Sequence, residues 1–318
     1  MPLLDGVPLK GIRHRQLSQQ LPPILIIYKV TPALPMLKVM PLHHQMMRMK
    51  SMYNATGIRY VIEPFTREID INLRFNLPQF EEAAEGLFQA VQKRTLASFI
   101  APAGCGKTVV LRNLMERLPE ARYQVGYIKV ADLSQRDMCR EIAHTIGAKT
   151  AGAFHSLVRN VQDHFSTTHG AQGRQPVLLI DDAHEMRPLT VSILKLLTNF
   201  KMDSKLLVSI ILTGQPKMRD LLKREELQDI AQRIYHHTEL RLLSAEESKD
   251  YLHHRCTVAG LSPFPFDDSA TQSIFVLSRG NMRVMDLLCL KSLELASKRN
   301  LSGVGESLIM EAKKTIWT

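Results

Sequence analysis

Residues 95–108 constrain the fold of this chain more than any other stretch, because their character changes from apolar to small to helix-periodic within a few positions. The apolar run at 96–100 is typical of a buried strand, and the residues after 107 have the apolar spacing of a helix. Between them lie small residues with two glycines, which let backbone N–H groups surround a phosphate at the helix N-terminus. The stretch therefore predicts a phosphate-binding loop between a strand and a helix.

The residues of this loop have separate expected roles. Lys107 is expected to neutralise the β and γ phosphate oxygens of a nucleotide, and the Thr108 hydroxyl is expected to bind Mg²⁺. Ala101 stands where the G-x-x-x-x-G-K-[ST] pattern has its first glycine, so a surface turn that contains Gly-Lys-Thr by chance is the alternative. The residues expected to contact the nucleotide in this loop are Ala101, Pro102, Ala103, Gly104, Cys105, Gly106, Lys107 and Thr108.

A second apolar strand ends in two carboxylates and supports the nucleotide interpretation. Asp181 follows the apolar run at 177–180, where its carboxylate would meet the Mg²⁺ bound by Thr108. Asp182 is then expected to orient the attacking water, with Glu185 as the fallback base. An acidic pair that only caps a helix or a turn is the alternative.

Three further polar residues are candidates for contacts with the γ-phosphate. Thr213 closes a later strand, where its hydroxyl could sense this phosphate, although a threonine in that position can be only a turn former. Arg233 precedes the last predicted strand and could reach the nucleotide of a neighbouring subunit. Arg283 opens a helix near the C-terminus and could contact the nucleotide of its own chain. The planar, permanently charged guanidinium suits both roles, and a surface salt bridge is the alternative for each.

The order of elements predicts an α/β domain at residues 61–243 and a small helical lid at 244–318. Continuously apolar strands that alternate with helices indicate a parallel sheet covered on both faces. Ser244 and Glu247 form a capping-box pattern at the start of the lid. The predicted strands are 96–100, 123–130, 176–181, 206–212 and 238–242, and the main predicted helices are 78–94, 107–118, 134–146, 153–167, 188–200, 244–259, 267–278, 282–298 and 303–315.

Residues 1–60 differ from the rest of the chain, with eight of the 41 lysines and arginines and a single acid. A cationic arm suggests nucleic acid or another anionic surface, and a solvated, disordered tail is the alternative. Residues 9–21 resemble the opening of a helix-turn-helix, but two prolines follow where the turn and the second helix should begin. A third possibility is that the natural start is Met52.

Cysteine usage and the N-terminal residues predict the compartment. The four cysteines are far apart and lack metal-ligand spacing, so free thiols in a reducing compartment are expected. The apolar run at 21–28 contains two prolines and is too short to span a bilayer, and the N-terminus lacks a signal-peptide pattern. We therefore expect a cytoplasmic protein without a membrane contact.

Together these motifs resemble an AAA+ ATPase of the ExeA-like group, which includes the ATPase subunits of bacterial transposition systems of the TniB, TnsC and Mu B kind. The resemblance implies a five-stranded parallel sheet with a helical lid, ATP and Mg²⁺ as cofactors, and assembly of a homo-oligomer as a ring or a filament. In the transposition members it also implies ATP-dependent binding to duplex DNA and recruitment of a DDE-type transposase. The blocks that carry it lie at 101–108, 178–184, 196–200, 202–204, 212–216, 231–234, 251–255, 259–260 and 280–283.

Three residues depart from the pattern of this group: Ala101 replaces glycine, Asp182 replaces glutamate, and Met282 replaces a common proline. These departures bear on the rate of hydrolysis more than on the fold. Secretion-linked members continue into a membrane segment and a periplasmic domain, which do not follow here, so we expect an ATP-regulated factor that binds target DNA and stimulates a transposase. The alternatives are an ATP-driven protein-interaction switch and a secretion-associated ATPase without a DNA role.

Overall fold

A parallel sheet of five strands lies at the centre of the computed structural model, which describes residues 60–66, 71–199 and 206–316. The strands lie in the order β2-β3-β4-β1-β5 and every neighbouring pair is parallel, which confirms the predicted sheet. The helix-turn-helix-like segment at 9–21 and the rest of the predicted arm before residue 60 lie outside the described residues. The strands are β1 (Leu96–Ile100), β2 (Tyr123–Lys129), β3 (Gln175–Asp181), β4 (Ser209–Gly214) and β5 (Ile234–Glu239).

Helices cover both faces of this sheet and also form the lid. The helices of the α/β part are α1 (Pro78–Gln92), α2 (Lys107–Glu116), α3 (Gln135–Ile146), α4 (Phe154–Gly170), α5 (Pro188–Thr198), α6 (Lys217–Leu222) and α7 (Gln228–Ala231). The lid helices are α8 (Ala245–Ala259), α9 (Asp268–Ser278), α10 (Met282–Lys298) and α11 (Glu306–Ile316). In these described ranges, no helix is both long enough and apolar enough to cross a membrane.

Successive side chains of the central strands enter two different cores, because neighbouring residues of a strand point to opposite faces of the sheet. In β1, Ala97 and Phe99 belong to the core that also contains residues of α1, α2 and the lid. Leu96 and Ile100 belong to the second core, with residues of α3, α4 and α5. The three central strands, β1, β3 and β4, are buried along their whole length, as expected for a sheet covered on both faces.

The last strand starts four residues earlier than the predicted range of 238–242. It runs over Ile234–Glu239 and pairs with β1 from Leu96 onward. As an edge strand it is only partly buried, and it contains Tyr235 and two histidines. These polar residues hide the strand from an apolar pattern search, whereas the apolar residues that follow Thr238 mark its exit and the loop to the lid.

The capping box at the start of the lid is present and includes a charged partner. Ser244 caps α8, and the Ser244 backbone N–H donates to the Glu247 carboxylate at 2.8 Å. Arg241 donates to both oxygens of the same carboxylate, at 2.6 and 2.7 Å. The hydrogen bonds from Arg241 outweigh desolvation and lower the pKa of Glu247 to about 2. The ionised carboxylate therefore stabilises the junction between the α/β part and the lid.

We expect Glu247→Gln to lower the free energy of unfolding by about 1 kcal/mol at pH 7, because the amide keeps the capping geometry but loses the charge. The folded-state pKa lies below the unfolded value of 4.5, so this stabilisation is complete above pH 4.5 and is lost as the pH falls toward 2. Urea denaturation of the natural protein and of Glu247→Gln between pH 7 and pH 3 measures this pH dependence, with Glu246→Gln in the same turn as control. A difference that stays constant with pH would contradict the ionic contribution.

The described residues before α1 form a crossing segment, residues 60–66 and 71–77, that contacts both parts of the molecule. Val61 N–H donates to Ala259 O of α8 at 2.8 Å, and the buried Arg255 donates to Thr66 O at 2.7 Å. Further along, Arg74 donates to Val109 O of α2 at 3.0 Å. Residues 61–66, which we expected in the α/β domain, therefore pack on the lid.

Candidate functional site

The phosphate loop has the backbone conformation that its sequence predicts. It leaves β1 at Ile100 and enters α2 at Lys107. Gly106 occupies the N-cap position of α2 with φ of 88°, a left-handed conformation that disfavours residues with a Cβ. A Cβ on Gly106 would also lie 2.8 Å from the Phe80 ring. Glycine is therefore required at this position both for backbone conformation and for space.

Ala101 fits the position where the sequence pattern has a glycine. Its side chain is fully buried, and its backbone N–H donates to Gly214 O of the neighbouring β4 at 3.0 Å. Cys105 is also buried, which raises the pKa of its thiol to about 11, so the neutral side chain fills space in the loop. The departure at Ala101 thus leaves the loop backbone paired with the sheet.

Lys107 connects the loop to the acidic pair. Its Nζ lies 2.8 Å from Oδ1 of Asp181 and 2.7 Å from Oδ1 of Asp182. The loop follows β1, and the acidic pair lies at the end of β3. Because β1 and β3 are parallel, their carboxyl ends lie at the same edge of the sheet, which is where open α/β sheets bind ligands. The structure therefore brings together the three charged residues that the sequence singled out.

Asp181 is buried and accepts several hydrogen bonds. Besides Lys107, its Oδ1 accepts from Thr213 Oγ1 at 2.5 Å and from the Asp182 backbone N–H at 2.8 Å. Oδ2 accepts from the Tyr127 hydroxyl at 2.9 Å. Desolvation alone would raise the pKa of Asp181, but the donors, with Lys107 first, outweigh it and the net shift is downward. The carboxylate is therefore ionised at neutral pH. Thr213 contacts this acid, and its role toward a phosphate stays a prediction.

Asp182 lies between two lysines in a left-handed backbone conformation. Its φ is 56°, which aspartate tolerates better than most residues with a side chain. Its second oxygen, Oδ2, is 3.6 Å from Lys129 Nζ at the end of β2. Glu185, the fallback base, is exposed, and its carboxylate lies 3.0 Å from His184 Nε2. Of the two acids after Asp181, Asp182 is the one placed beside the loop lysine.

Tyr127 and Lys129 belong to this site although the sequence alone gives them no role. They are two residues apart on β2, and Lys129 is in register with Asp181 of β3. Burial and the hydrogen bond to Asp181 raise the pKa of the Tyr127 hydroxyl, so it stays protonated and donates. In the sequence, Tyr127 and Lys129 alternate with the buried Ile128, but only the strand order β2-β3 shows that they lie beside the acidic pair.

The first turn of α10 brings the lid next to the loop. Asn281 Nδ2 donates to Ala103 O of the loop at 2.7 Å, while Asn281 Oδ1 accepts from the backbone N–H groups of Arg283 and Val284. Arg283 itself is exposed beside the loop, since its Cβ would lie 2.9 Å from a Cβ placed on Gly104. This placement suits the predicted contact of Arg283 with a nucleotide, which stays a prediction.

Arg233 lies at the amino ends of the strands, opposite the loop and the acidic pair. It precedes β5, and Ile234 is in register with Leu96, the first residue of β1, whereas the loop follows the last residue of β1. There it lines a cavity of about 240 Å³ together with Arg94 and Tyr235. Arg233 is therefore separated from the loop of its own chain, and the predicted contact with a neighbouring subunit stays a prediction.

The oxygen ligands at this edge suit a Mg²⁺ ion that also binds phosphate. Asp181 supplies a carboxylate, and Thr108 is exposed at the second position of α2. No group of three or more His, Cys, Asp or Glu residues that could hold a metal occurs in the part of the chain that the structure describes. Mg²⁺ prefers oxygen ligands and usually keeps several waters or phosphate oxygens, so one carboxylate and one hydroxyl fit Mg²⁺ with a nucleotide.

Sequence comparisons agree with this geometry. The family model described as AAA domain matches residues 90–222, which include the loop, the acidic pair and Thr213. General secretion pathway protein A of Aeromonas hydrophila is 33% identical over 199 residues, which make up 62% of this chain and 36% of that protein. The chain thus spans about a third of the length of this relative. Within the matched residues, the 33% identity supports the predicted resemblance to the ExeA-like group.

Solved structures with low sequence identity share the fold. The Aeropyrum pernix ORC2 protein has a TM-score of 0.60 at 13% identity and covers 80% of this chain and 71% of its own. Cdc6p from Pyrobaculum aerophilum has a TM-score of 0.62 at 15% identity, with coverage of 79% and 70%. Aeropyrum pernix ORC1, solved in complex with DNA, has a TM-score of 0.58 at 17% identity, with coverage of 79% and 68%. Over residues 90–222 the chain is thus similar to the family described as AAA domain, and it shares the fold of these solved structures, a parallel five-stranded sheet with flanking helices.

Proposed function

We propose that this ATPase uses ATP and Mg²⁺ to control a homo-oligomer, a ring or a filament, that binds target duplex DNA and recruits or stimulates a DDE-type transposase. ATP binding is supported most directly by the placement of Lys107 between Asp181 and Asp182, at the carboxyl ends of the strands. The DNA part rests on the excess of lysine and arginine in residues 1–60.

The charges of the site suggest how ATP binding prepares hydrolysis. Without a phosphate, Lys107 neutralises both acids. A triphosphate in the loop competes for Lys107 because it carries more negative charge, and Asp182 is then free to accept a proton from an attacking water. Thr108 and Asp181 would hold a bound Mg²⁺, which would neutralise charge at the phosphate oxygens. Arg283, from the lid, contacts the γ-phosphate, and Arg233 acts on the nucleotide of a neighbouring subunit.

A secretion-associated role is the second candidate. The 33% identity to General secretion pathway protein A favours it, although the two chains share only 36% of that protein's length. A third function, an ATP-driven switch that recruits a protein partner, would use the same nucleotide site. Stimulation of ATP hydrolysis by duplex DNA distinguishes the proposed function from these two, because only the proposed function requires DNA.

The deciding experiment measures ATP hydrolysis by the full chain with and without duplex DNA, for the natural protein, Lys107→Ala and Lys149→Ala. Lys149 is exposed outside the site, so its replacement controls for the loss of a positive charge. We expect hydrolysis that DNA stimulates, that Lys107→Ala abolishes and that Lys149→Ala leaves unchanged. Hydrolysis indifferent to DNA would favour a protein-partner role, and a protein that binds no nucleotide would refute the proposal as a whole.

Salt dependence provides an independent check of the DNA contact. Lysine and arginine release condensed counterions when they neutralise DNA phosphates, so the affinity of a protein with about six such contacts falls roughly 10³-fold between 50 and 200 mM salt. We expect such a slope in the presence of ATP and Mg²⁺. Binding of a purified DDE-type transposase to the DNA complex tests the partner, and a complex that forms equally well without ATP would contradict nucleotide control.

A further inference from the structure

The geometry points to Tyr127 as a positioning residue that sets the orientation of the Mg²⁺-binding carboxylate of Asp181. This inference rests on the proposed binding of ATP with Mg²⁺ and deepens it, because it assigns a function to a residue outside the loop and the acidic pair. Tyr127 lies on β2, the edge strand beside β3, and its hydroxyl donates to Asp181 Oδ2 at 2.9 Å.

The donors on Asp181 are divided between its two oxygens. Lys107, Thr213 and the Asp182 backbone N–H donate to Oδ1. Tyr127 donates to Oδ2. A carboxylate held at one oxygen can still turn about its Cβ–Cγ bond, whereas donors on both oxygens fix the plane of the group. The Tyr127 hydroxyl therefore defines the direction in which Asp181 presents its remaining lone pairs.

This division matters most after ATP has bound. Lys107 is then drawn to the phosphates, and the two donors that remain at Oδ1 both come from the immediate surroundings of Asp181, at β4 and at the next residue. Tyr127 is the contact that reaches the carboxylate from the opposite neighbour, β2, which pairs with β3 along its whole length. Thr213 and Tyr127 thus hold the two carboxylate oxygens from the two strands that pair with β3, and a group held by strands keeps its geometry better than one held by loops.

The position of the Tyr127 ring allows a clean test. The residue is 44% exposed, so its ring lies partly in solvent and Tyr127→Phe removes one oxygen without creating a buried cavity. Tyr235 offers a matched control, since it is 58% exposed on the other edge strand and its hydroxyl contacts Lys93. Both variants lose a hydroxyl that contacts a charged group, but only one of these groups is a ligand of the metal.

The experiment titrates Mg²⁺ into full-length protein with a fluorescent ATP analogue and records bound nucleotide, with parallel measurements in EDTA. For Tyr127→Phe we expect the Mg²⁺ concentration at half-saturation to rise about 10-fold, the loss typical for partners of metal ligands. Nucleotide affinity in EDTA and the thermal midpoint are expected to stay at the values of the natural protein. Tyr235→Phe is expected to match the natural protein in all three measurements.

Each other outcome has a distinct meaning. An unchanged Mg²⁺ dependence in Tyr127→Phe would overturn the inference while leaving nucleotide binding intact. An equal loss of affinity in Mg²⁺ and in EDTA would also overturn it, because the hydroxyl would then support the loop and not the metal ligand. If the natural protein bound no nucleotide under any condition, the proposed function itself would fail, and this inference with it.

Discussion

We expect Gly280→Ala to lower the free energy of unfolding by about 4 kcal/mol, a loss at the upper end of the range for single substitutions. Gly280 has φ of 79°, in the left-handed region where a Cβ costs about 1–2 kcal/mol. A Cβ there would also lie 2.1 Å from Leu243 O and 2.8 Å from Leu243 N. These are backbone atoms at the junction of the two parts of the chain, so the clash can be relieved only by moving the junction.

Gly147→Ala provides a matched control for this prediction. Gly147 ends α3 with the same φ of 79°, but a Cβ at this position would meet nothing within 4 Å. We expect Gly147→Ala to lower the free energy of unfolding only by the cost of the left-handed backbone conformation, about 1–2 kcal/mol. Urea denaturation of both variants isolates the contribution of the contact between Gly280 and Leu243. Equal losses would show that the junction adjusts without cost.

The same substitution should also weaken the nucleotide site. Gly280 immediately precedes Asn281, which bonds Ala103 of the loop, and Gly280 O accepts the Leu243 N–H at 3.0 Å. A displaced turn would carry Asn281 and Arg283 away from the loop. ATP affinity is therefore expected to fall in Gly280→Ala under conditions in which the protein is still folded, and to stay unchanged in Gly147→Ala.

The second large effect is expected for Asp182→Asn, which should reduce ATP hydrolysis at least 100-fold while nucleotide binding is retained. The amide cannot accept a proton from the attacking water, but asparagine tolerates the left-handed conformation of this position. Glu185→Gln is the control, since Glu185 lies in the same turn and contacts His184. Single-turnover hydrolysis and binding of an ATP analogue separate the two steps. A larger loss in Glu185→Gln would transfer the role of the base to that residue.

Asp182→Glu tests whether the short aspartate side chain limits the rate of ATP hydrolysis. The longer side chain would extend the carboxylate by one methylene toward the loop, so faster hydrolysis is expected. Glutamate fits φ of 56° less well than aspartate, and we expect a stability loss of about 1 kcal/mol in urea denaturation. Hydrolysis that stays unchanged, with lower stability, would show that the backbone conformation and not catalysis selects aspartate.

The parts of the site that depend on local sequence could be predicted, and the parts that depend on strand order could not. The loop and Asp181 each follow a short apolar strand, and the rule that parallel strands end at one edge brings Lys107 to the acids. Tyr127 and Lys129 reach the same acids from β2, and neither spacing nor composition states that β2 lies beside β3. Long-range neighbours of this kind require the structure.

Burial explains why the central strands were predicted better than β5. The central strands were predictable because both of their faces are buried, whereas β5 is a partly buried edge strand that carries polar residues from His236 to Glu239. The packing of residues 61–66 on the lid was hidden for another reason. Its main contacts, from Val61 to Ala259 and from Thr66 to Arg255, join segments almost two hundred positions apart, and each uses a backbone group that carries no sequence signal.

The crossing segment decides where a mechanical load would enter the molecule. Tension applied to the chain upstream of Tyr60, for example by a partner that holds it, passes first through Val61 and Thr66 into α8 of the lid. The tension reaches Arg74, and through it α2 after the phosphate loop, only after these two contacts. The lid would thus be the first part of the described structure to receive the tension, and its contact with the loop, from Asn281 to Ala103, would transmit the pull to the nucleotide site.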